Sequence, residues 1–244
     1  MTSDIVVIPD THAKDGVPID HFKWIANYIK VKRPGVVIHL GDHWCMPSLS
    51  SYDAGKRAAE NRRFASDIDS GNTCLRDLTG FRSKSYSPSL TLLRGNHEQR
   101  IERAANDQAW LHGTVGYHLF NDRQLGWKPV PFLKPIEIAG IWFCHYFPSG
   151  NSKWGPASAR AMVLKQMASC IAGHKQGLDS YVHSTSTRMI RGIIAGSCYQ
   201  HEEEYLTSCH TKYWRGILHL HEVDGRGGFG LTEVSLAHLE KRYG

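Results

Sequence analysis

Five times along this chain an apolar run able to form a strand stops and gives way to side chains that bind metals or move protons. Ile5-Val6-Val7-Ile8-Pro9 leads into Asp10-Thr11-His12, and Gly35-Val36-Val37-Ile38-His39-Leu40 into Gly41-Asp42-His43. Leu90-Thr91-Leu92-Leu93 leads through Arg94-Gly95 into Asn96-His97-Glu98, Ile141-Trp142-Phe143-Cys144 ends in His145, and Ser169-Cys170-Ile171-Ala172 ends in Gly173-His174-Lys175-Gln176. Open α/β sheets keep their ligands at the carboxyl ends of strands, and Gly95 lets the backbone turn closely there. The repeated pattern therefore constrains the fold to one that gathers these ends. The Asp, His and Asn donors form an oxygen-and-imidazole set suited to Mn, Zn, Fe or Ni rather than to Ca or Mg.

What lies between the runs sets the fold class. Residues 19–31 carry Phe22, Ile25, Ala26 and Ile29 at helical spacing, and Pro34-Gly35 closes that helix. Strand, helix and strand with short links make a βαβ crossover and a parallel sheet. The Ser-rich residues 46–55, with Pro47, read as a loop. Residues 56–78 read as a helix with Phe64, Ile68, Gly71, Leu75 and Leu78 on one face, expected to pack on the sheet as a helical insertion around 46–82. A short charged helix is expected over residues 98–107, and 108–126 fit no single pattern.

From Ile136 onward hairpins take over. Ala139-Gly140 is a tight-turn signal between Ile136-Glu137-Ile138 and Ile141-Trp142-Phe143. Gly155-Pro156 would introduce a helix over residues 157–167. Residues 188–195, 216–223 and 228–236 read as strands, and the alternation Leu218-His219-Leu220-His221 predicts one wet face. With no repeat and no linker, residues 1–244 read as one α/β domain, a four-layer α/β/β/α sandwich of two mixed β-sheets.

Composition narrows the setting. Six cysteines (Cys45, Cys74, Cys144, Cys170, Cys198, Cys209) form no CxxC pair, which favours reduced, buried thiols in a reducing compartment over disulfides or a zinc finger. No secretory n-region opens the chain and no apolar run approaches the roughly 20 residues of a membrane span; a cytoplasmic location without membrane association is the expectation. A net charge of +6 and a pI near 9.0 would steer a polyanionic or phosphorylated substrate. The basic residues are scattered, however, so nucleic acid is compatible with the charge without being demanded by it.

The ordered set Asp10-Thr11-His12, Gly41-Asp42, Gly95-Asn96-His97-Glu98, His145 and Gly173-His174 resembles the calcineurin-like metallophosphoesterase superfamily, over residues 10 to about 176. That resemblance implies two divalent metal ions, Mn first, with Zn, Fe or Ni as alternatives. Asp10 and His12 would hold the first, Asn96, His145 and His174 the second, and Asp42 would bridge them. Two departures stand out. The family usually ends its last motif Gly-His-x-His, the final His reaching the first metal, and here Gln176 takes that place as a weaker oxygen ligand. The superfamily's serine/threonine phosphatases share the look of Leu93-Arg94-Gly95-Asn96-His97-Glu98 but follow the bridging Asp with an Asp-Arg-Gly run, where this chain has His43-Trp44-Cys45-Met46.

The implied activity is hydrolysis of phosphate esters by a hydroxide shared between the two metals, leaning to phosphodiesters (nuclease or cyclic-nucleotide type) because the Asp-Arg-Gly run is missing. Alternatives are a phosphomonoesterase acting on nucleotides or phosphoproteins and a non-catalytic metal-binding scaffold. His97 is the candidate general acid. The expected partner is the phosphate-ester substrate, a nucleotide or nucleic acid among the candidates; protein partners are not indicated. His43, beside Asp42, is a candidate for a supporting or substrate-facing role. His39, His118, His183, His219 and His221 read as satisfied or surface residues, as do His21, His112 and His238. His201 and His210 flank the Glu202-Glu203-Glu204 run, which reads as a solvated turn.

Overall fold

The computed structural model describes residues 4–150, 155–203 and 213–244. In chain order it contains β1 (Ile5–Ile8), α1 (His21–Lys32), β2 (Val36–His39), α2 (Phe64–Leu78), β3 (Ser89–Leu93), α3 (Gln99–Asp107), β4 (Lys128–Val130), β5 (Ile136–Ile138) and β6 (Ile141–Cys144). There follow α4 (Ala159–Gln166), β7 (Cys170–Ala172), β8 (Leu178–Ser184), β9 (Met189–Ala195), β10 (Gly216–His221), β11 (Gly230–Ser235) and α5 (Leu236–Tyr243). The strands sort into two mixed sheets, one in the order β11-β10-β1-β2-β3-β4 and one in the order β5-β6-β7-β9-β8. Within the first, β1 to β4 run parallel; within the second, β6, β7 and β9 do.

Alternation of side chains along each strand decides what each face meets. Val6 and Ile8 of β1 join Phe22, Ile25 and Ile29 of α1, Leu75 and Leu78 of α2 and Leu239 of α5 in one apolar cluster. Ile5 and Val7 turn the other way and meet Ile141, Phe143, Ile171 and Ile193 of the second sheet. Ala159, Met162 and Val163 of α4 pack on Cys170, Ile190 and Ile194. With both faces covered, β1 is wholly buried, which is why it reads as an unbroken apolar run. Burying one such aliphatic side chain contributes roughly 1.5–3 kcal/mol, so the stacking is fixed largely by these three clusters.

Several elements depart from the sequence pattern for identifiable reasons. α2 starts at Phe64 rather than residue 56, because Asn61 is left-handed with φ 60° and residues 57–59 form only a 3-10 turn. α4 starts at Ala159, capped by Ser158, whose side chain accepts from Ala161 N; Pro156 lies ahead of the helix. The expected wet face of β10 is covered, since His219 is buried and accepts at Nδ1 from Tyr28 Oη of α1 at 2.7 Å. The β5–β6 hairpin follows the sequence expectation, with Ala139 and Gly140 both at positive φ (54° and 78°), the requirement of a type I′ turn.

No helix among the described residues is long and apolar enough to cross a membrane. Cys45, Cys74, Cys144, Cys170 and Cys198 are free and buried. Cys209, His210 and Glu204 lie outside the described residues.

Candidate metal centre

The carboxyl ends of β1, β2 and β3 in one sheet and of β6 and β7 in the other meet at a single place. Asp10 and His12 follow β1, Asp42 follows β2, Asn96 and His97 follow β3, His145 follows β6, and His174 and Gln176 follow β7. The two sheets are stitched there by backbone: Asp10 pairs with Ser197 beyond the end of β9, and Cys198 N donates to Asp10 O at 2.7 Å. Two glycines permit the approach. A Cβ at Gly95 would collide with the Asp42 carboxylate, and one at Gly173 would fall 2.5 Å from Asp10 Oδ1.

The ligand-bearing loops are strained. His12, Asp42 and His174 hold φ of 41°, 50° and 68°, a left-handed region costing non-glycine residues about 1–3 kcal/mol each unless their surroundings impose it. Glu98 is one source of that imposition. Its buried carboxylate accepts from Asp42 N (3.0 Å), His43 N (2.5 Å), Trp44 N (3.0 Å) and Gly95 N (2.7 Å), tying the loop after β2 to the loop after β3. His97 N donates to Asp42 Oδ1 at 2.8 Å, and His174 N to Asp10 Oδ1 at 3.1 Å.

His145 donates from Nδ1 to Leu40 O at 2.9 Å and from Nε2 to Asn96 Oδ1 at 3.0 Å, and its Nε2 lies 3.4 Å from Asp42 Oδ2. Two acceptors around one ring describe an imidazolium. Burial opposes that charge, yet Asp42 raises His145 to about 9. Burial would also raise Asp42, but His145 and His97 together hold it well below the carboxylate range. Asp10 goes the other way: burial first, then the charge of Asp42, lifts it to about 8 despite His145. Burial lowers His12 and His174 to about 4 and holds His97 well below its ordinary value.

Three groups of donors lie close enough to hold an ion, their ligand atoms within 4.8 Å of one another: Asp10, His12 and Asp42; Asp42, His145 and His174; and His12, Cys45 and His97. Asp42 belongs to the first two. Among the described residues, Asp10 Oδ2 and His12 Nδ1 are buried without a hydrogen-bond partner, an arrangement that favours a cation, because isolated buried polar atoms are otherwise costly. These donors fit divalent ions. Gln176 is buried beside them, although its Oε1 accepts from Tyr199 Oη at 3.0 Å and its Nε2 lies 3.4 Å from His12 Nε2; it presents its amide nitrogen, not its carbonyl, to His12.

Other histidines sort themselves by their partners. Gly41 N donates to His39 Nδ1 (3.2 Å), His39 Nε2 to Thr11 Oγ1 (3.1 Å), Thr11 Oγ1 to His43 Nδ1 (2.9 Å) and His43 Nε2 to Gly71 O (2.9 Å). Both nitrogens of His43 are thereby committed and its side chain is buried, so it supports the loop. His97 donates from Nδ1 to Cys45 O (2.9 Å), and Arg100 Nη2 approaches its Nε2 at 3.3 Å. Burial holds His97 below its ordinary value, and its Nε2 faces the Arg100 guanidinium.

Sequence reasoning missed three participants. Arg100 on α3 sits behind His97 and also donates to Cys45 O at 2.9 Å. Glu98, a member of the motif after β3, anchors four backbone amides. Glu203, expected on a solvated turn, is 6% exposed: His201 Nε2 donates to it at 2.7 Å, Lys14 Nζ at 3.1 Å, and it lies 3.9 Å from His12 Nδ1. Four to six residues separate Arg100 and Glu98 from the end of β3 and could have been placed by helical spacing; nothing local marks Glu203. No protein-family model matches this sequence, and no curated protein matches it either.

Proposed function

We propose that this protein is a metal-dependent hydrolase of phosphate esters, a metallophosphoesterase of the calcineurin-like kind, built as a four-layer α/β/β/α sandwich with the helices outside two stacked sheets. The observation that carries this reading is the meeting of Asp10, His12, Asp42, Asn96, His145 and His174 at one seam, with Asp42 common to two donor groups. Asp10 and His12 would hold a first ion and Asn96, His145 and His174 a second, with Asp42 between them and Gln176 turning its amide to join the first. Two divalent ions so placed supply a nucleophile from water near neutral pH and clamp the phosphoryl oxygens for in-line displacement.

The chain's own residues do the rest. Glu98 fixes the loops that carry Asp42 and Asn96. Leu40 O sets the His145 ring, so that Nε2 points towards the Asn96 and Asp42 oxygens. Arg100 brings a permanent positive charge to the His97 side, where phosphate oxygens would gather charge in the transition state. A cavity of about 800 Å3 lined by Arg94, Tyr117, Phe120, Arg123 and Phe132 adjoins the centre, the Phe132 ring lying 6.2 Å from that of His145. It offers room for an ester substituent, which supports the leaning to phosphodiesters.

Arg100 also favours a second reading, a phosphomonoesterase, because a dianionic monoester needs a cation beyond the metals. Hydrolysis of bis-p-nitrophenyl phosphate and of p-nitrophenyl phosphate, with added Mn, separates the two. The diester cleaved faster upholds the first reading, the monoester faster the second. Neither being cleaved, with Mn demonstrably bound, leaves a metal-binding scaffold and removes the hydrolase reading.

A further inference from the structure

We propose that His12, Cys45 and His97 form a sulfur-containing cage for a thiophilic divalent cation such as Zn or Cd, competing with the oxygen-rich hydrolytic position for His12 and withdrawing His97 from the substrate side. The competition rests on the reading above; the cage itself does not. Its ligand atoms already lie within 4.8 Å of one another and all three residues are buried. The two imidazole rings stand edge to face, centroids 4.6 Å apart at 88°. Each offers a nitrogen: His97 spends Nδ1 on Cys45 O, which leaves Nε2, approached by Arg100 Nη2 at 3.3 Å, as its ligand atom, and among the described residues His12 Nδ1 has no hydrogen-bond partner, Glu203 lying 3.9 Å away.

Donor softness separates the two cages. Asp10, His12 and Asp42 provide carboxylate oxygen for Mn, whereas a thiolate with two imidazoles selects softer ions. Burial pushes the Cys45 thiol up to about 12, so it stays protonated and unreactive at neutral pH until a metal claims it. On binding, the S–H bond breaks, the sulfur–metal bond forms and the proton leaves to solvent, with no change of oxidation state. His12 is common to both cages, so an ion on sulfur draws on an imidazole that the Mn position needs.

The test is a titration of Cd2+ into the metal-stripped full-length protein, followed by its thiolate-to-metal charge-transfer band in the ultraviolet. A band in the wild type that is lost in Cys45→Ser supports the cage. No band in the wild type, or a band unchanged in Cys45→Ser, overturns it and assigns any sulfur ligand to another cysteine. Should Cys45→Ser fail to fold, as read by circular dichroism, X-ray absorption of the Cd-loaded wild type decides: one sulfur with two imidazole nitrogens around the ion upholds the cage, and any other donor set removes it. Cd2+ should also suppress Mn-supported hydrolysis in the wild type more than in Cys45→Ser, and equal suppression overturns the competition. If Mn supports no hydrolysis, the reading of the previous section fails, while the band still judges the cage.

Discussion

The two halves of the candidate centre share Asp42 and handle charge in opposite ways. On the Asn96 side, His145 answers Asp42 as an imidazolium held by two carbonyl oxygens, so the half is neutralised from within. On the Asp10 side, among the described residues, Asp10 Oδ2 and His12 Nδ1 have no hydrogen-bond partner, the Glu203 carboxylate standing 3.9 Å from the latter, and burial lifts Asp10 to about 8. The contrast teaches that a buried carboxylate can be balanced by a neighbouring base or by a proton it keeps, and that a divalent ion displaces either. It predicts a different dependence of the two halves on mutation and on pH.

The largest effect should come from the residue common to both. Asp42→Asn removes the charge that both halves depend on, and metal analysis is expected to find both ions lost together with hydrolysis; retention of two ions would show that the halves are independent. His97→Ala should lower turnover by ~10²- to 10⁴-fold if His97 takes part in proton transfer while leaving metal content unchanged, as read by steady-state kinetics beside elemental analysis. A loss well under ~10²-fold would remove His97 from proton transfer. Next comes Glu203→Gln, which removes a negative charge 3.9 Å from His12 Nδ1 and should weaken the first ion alone, by less than loss of Asp42 does. Chelator competition would measure it; equal weakening of both ions would break the distinction.

The subtlest test is stability against pH. Burial holds His12, His21 and His174 near 4 and His43 near 3, against an ordinary 6.5. The unfolded chain therefore takes up protons first, and stability falls as pH drops from about 6.5 towards 4. Asp10 and His145 are raised, to about 8 and about 9. Their folded forms keep protons the unfolded chain has released, so their contribution is lost as pH climbs through those values. Thermal melts of chelated protein should decline on both sides. Mn loading should flatten the alkaline decline, because the ion replaces those two protons; an unchanged decline would sever the link between them and metal binding.

Much of this centre was legible in the sequence because its donors follow apolar runs, and a run buried on both faces has to be apolar throughout. Asp10, Asp42, Asn96, His145 and His174 were found that way. Glu203 was not, since it lies well past the end of β9 (Met189–Ala195) and reaches His12 by tertiary contact alone. The same reasoning covers the fold. The strands β1, β2, β3, β6 and β7 were read; β8 was missed because it is an edge strand with mostly half-exposed residues, which imposes little pattern. β10 misled because Tyr28 and Asp4 satisfy His219, so a polar residue there marked a buried hydrogen bond and not solvent. α5 escaped because Ser235 both ends β11 and caps the helix.

The backbone joint between Asp10 and Ser197 carries a mechanical consequence. Asp10, placed by its side chain among donors that could hold an ion, is through its own peptide the rivet between two walls of the molecule. Any force or bound molecule that prised those walls apart would stretch the spacing of the donors before it disturbed the apolar interior. Affinity for an ion held there would thus double as a strain gauge for that rivet.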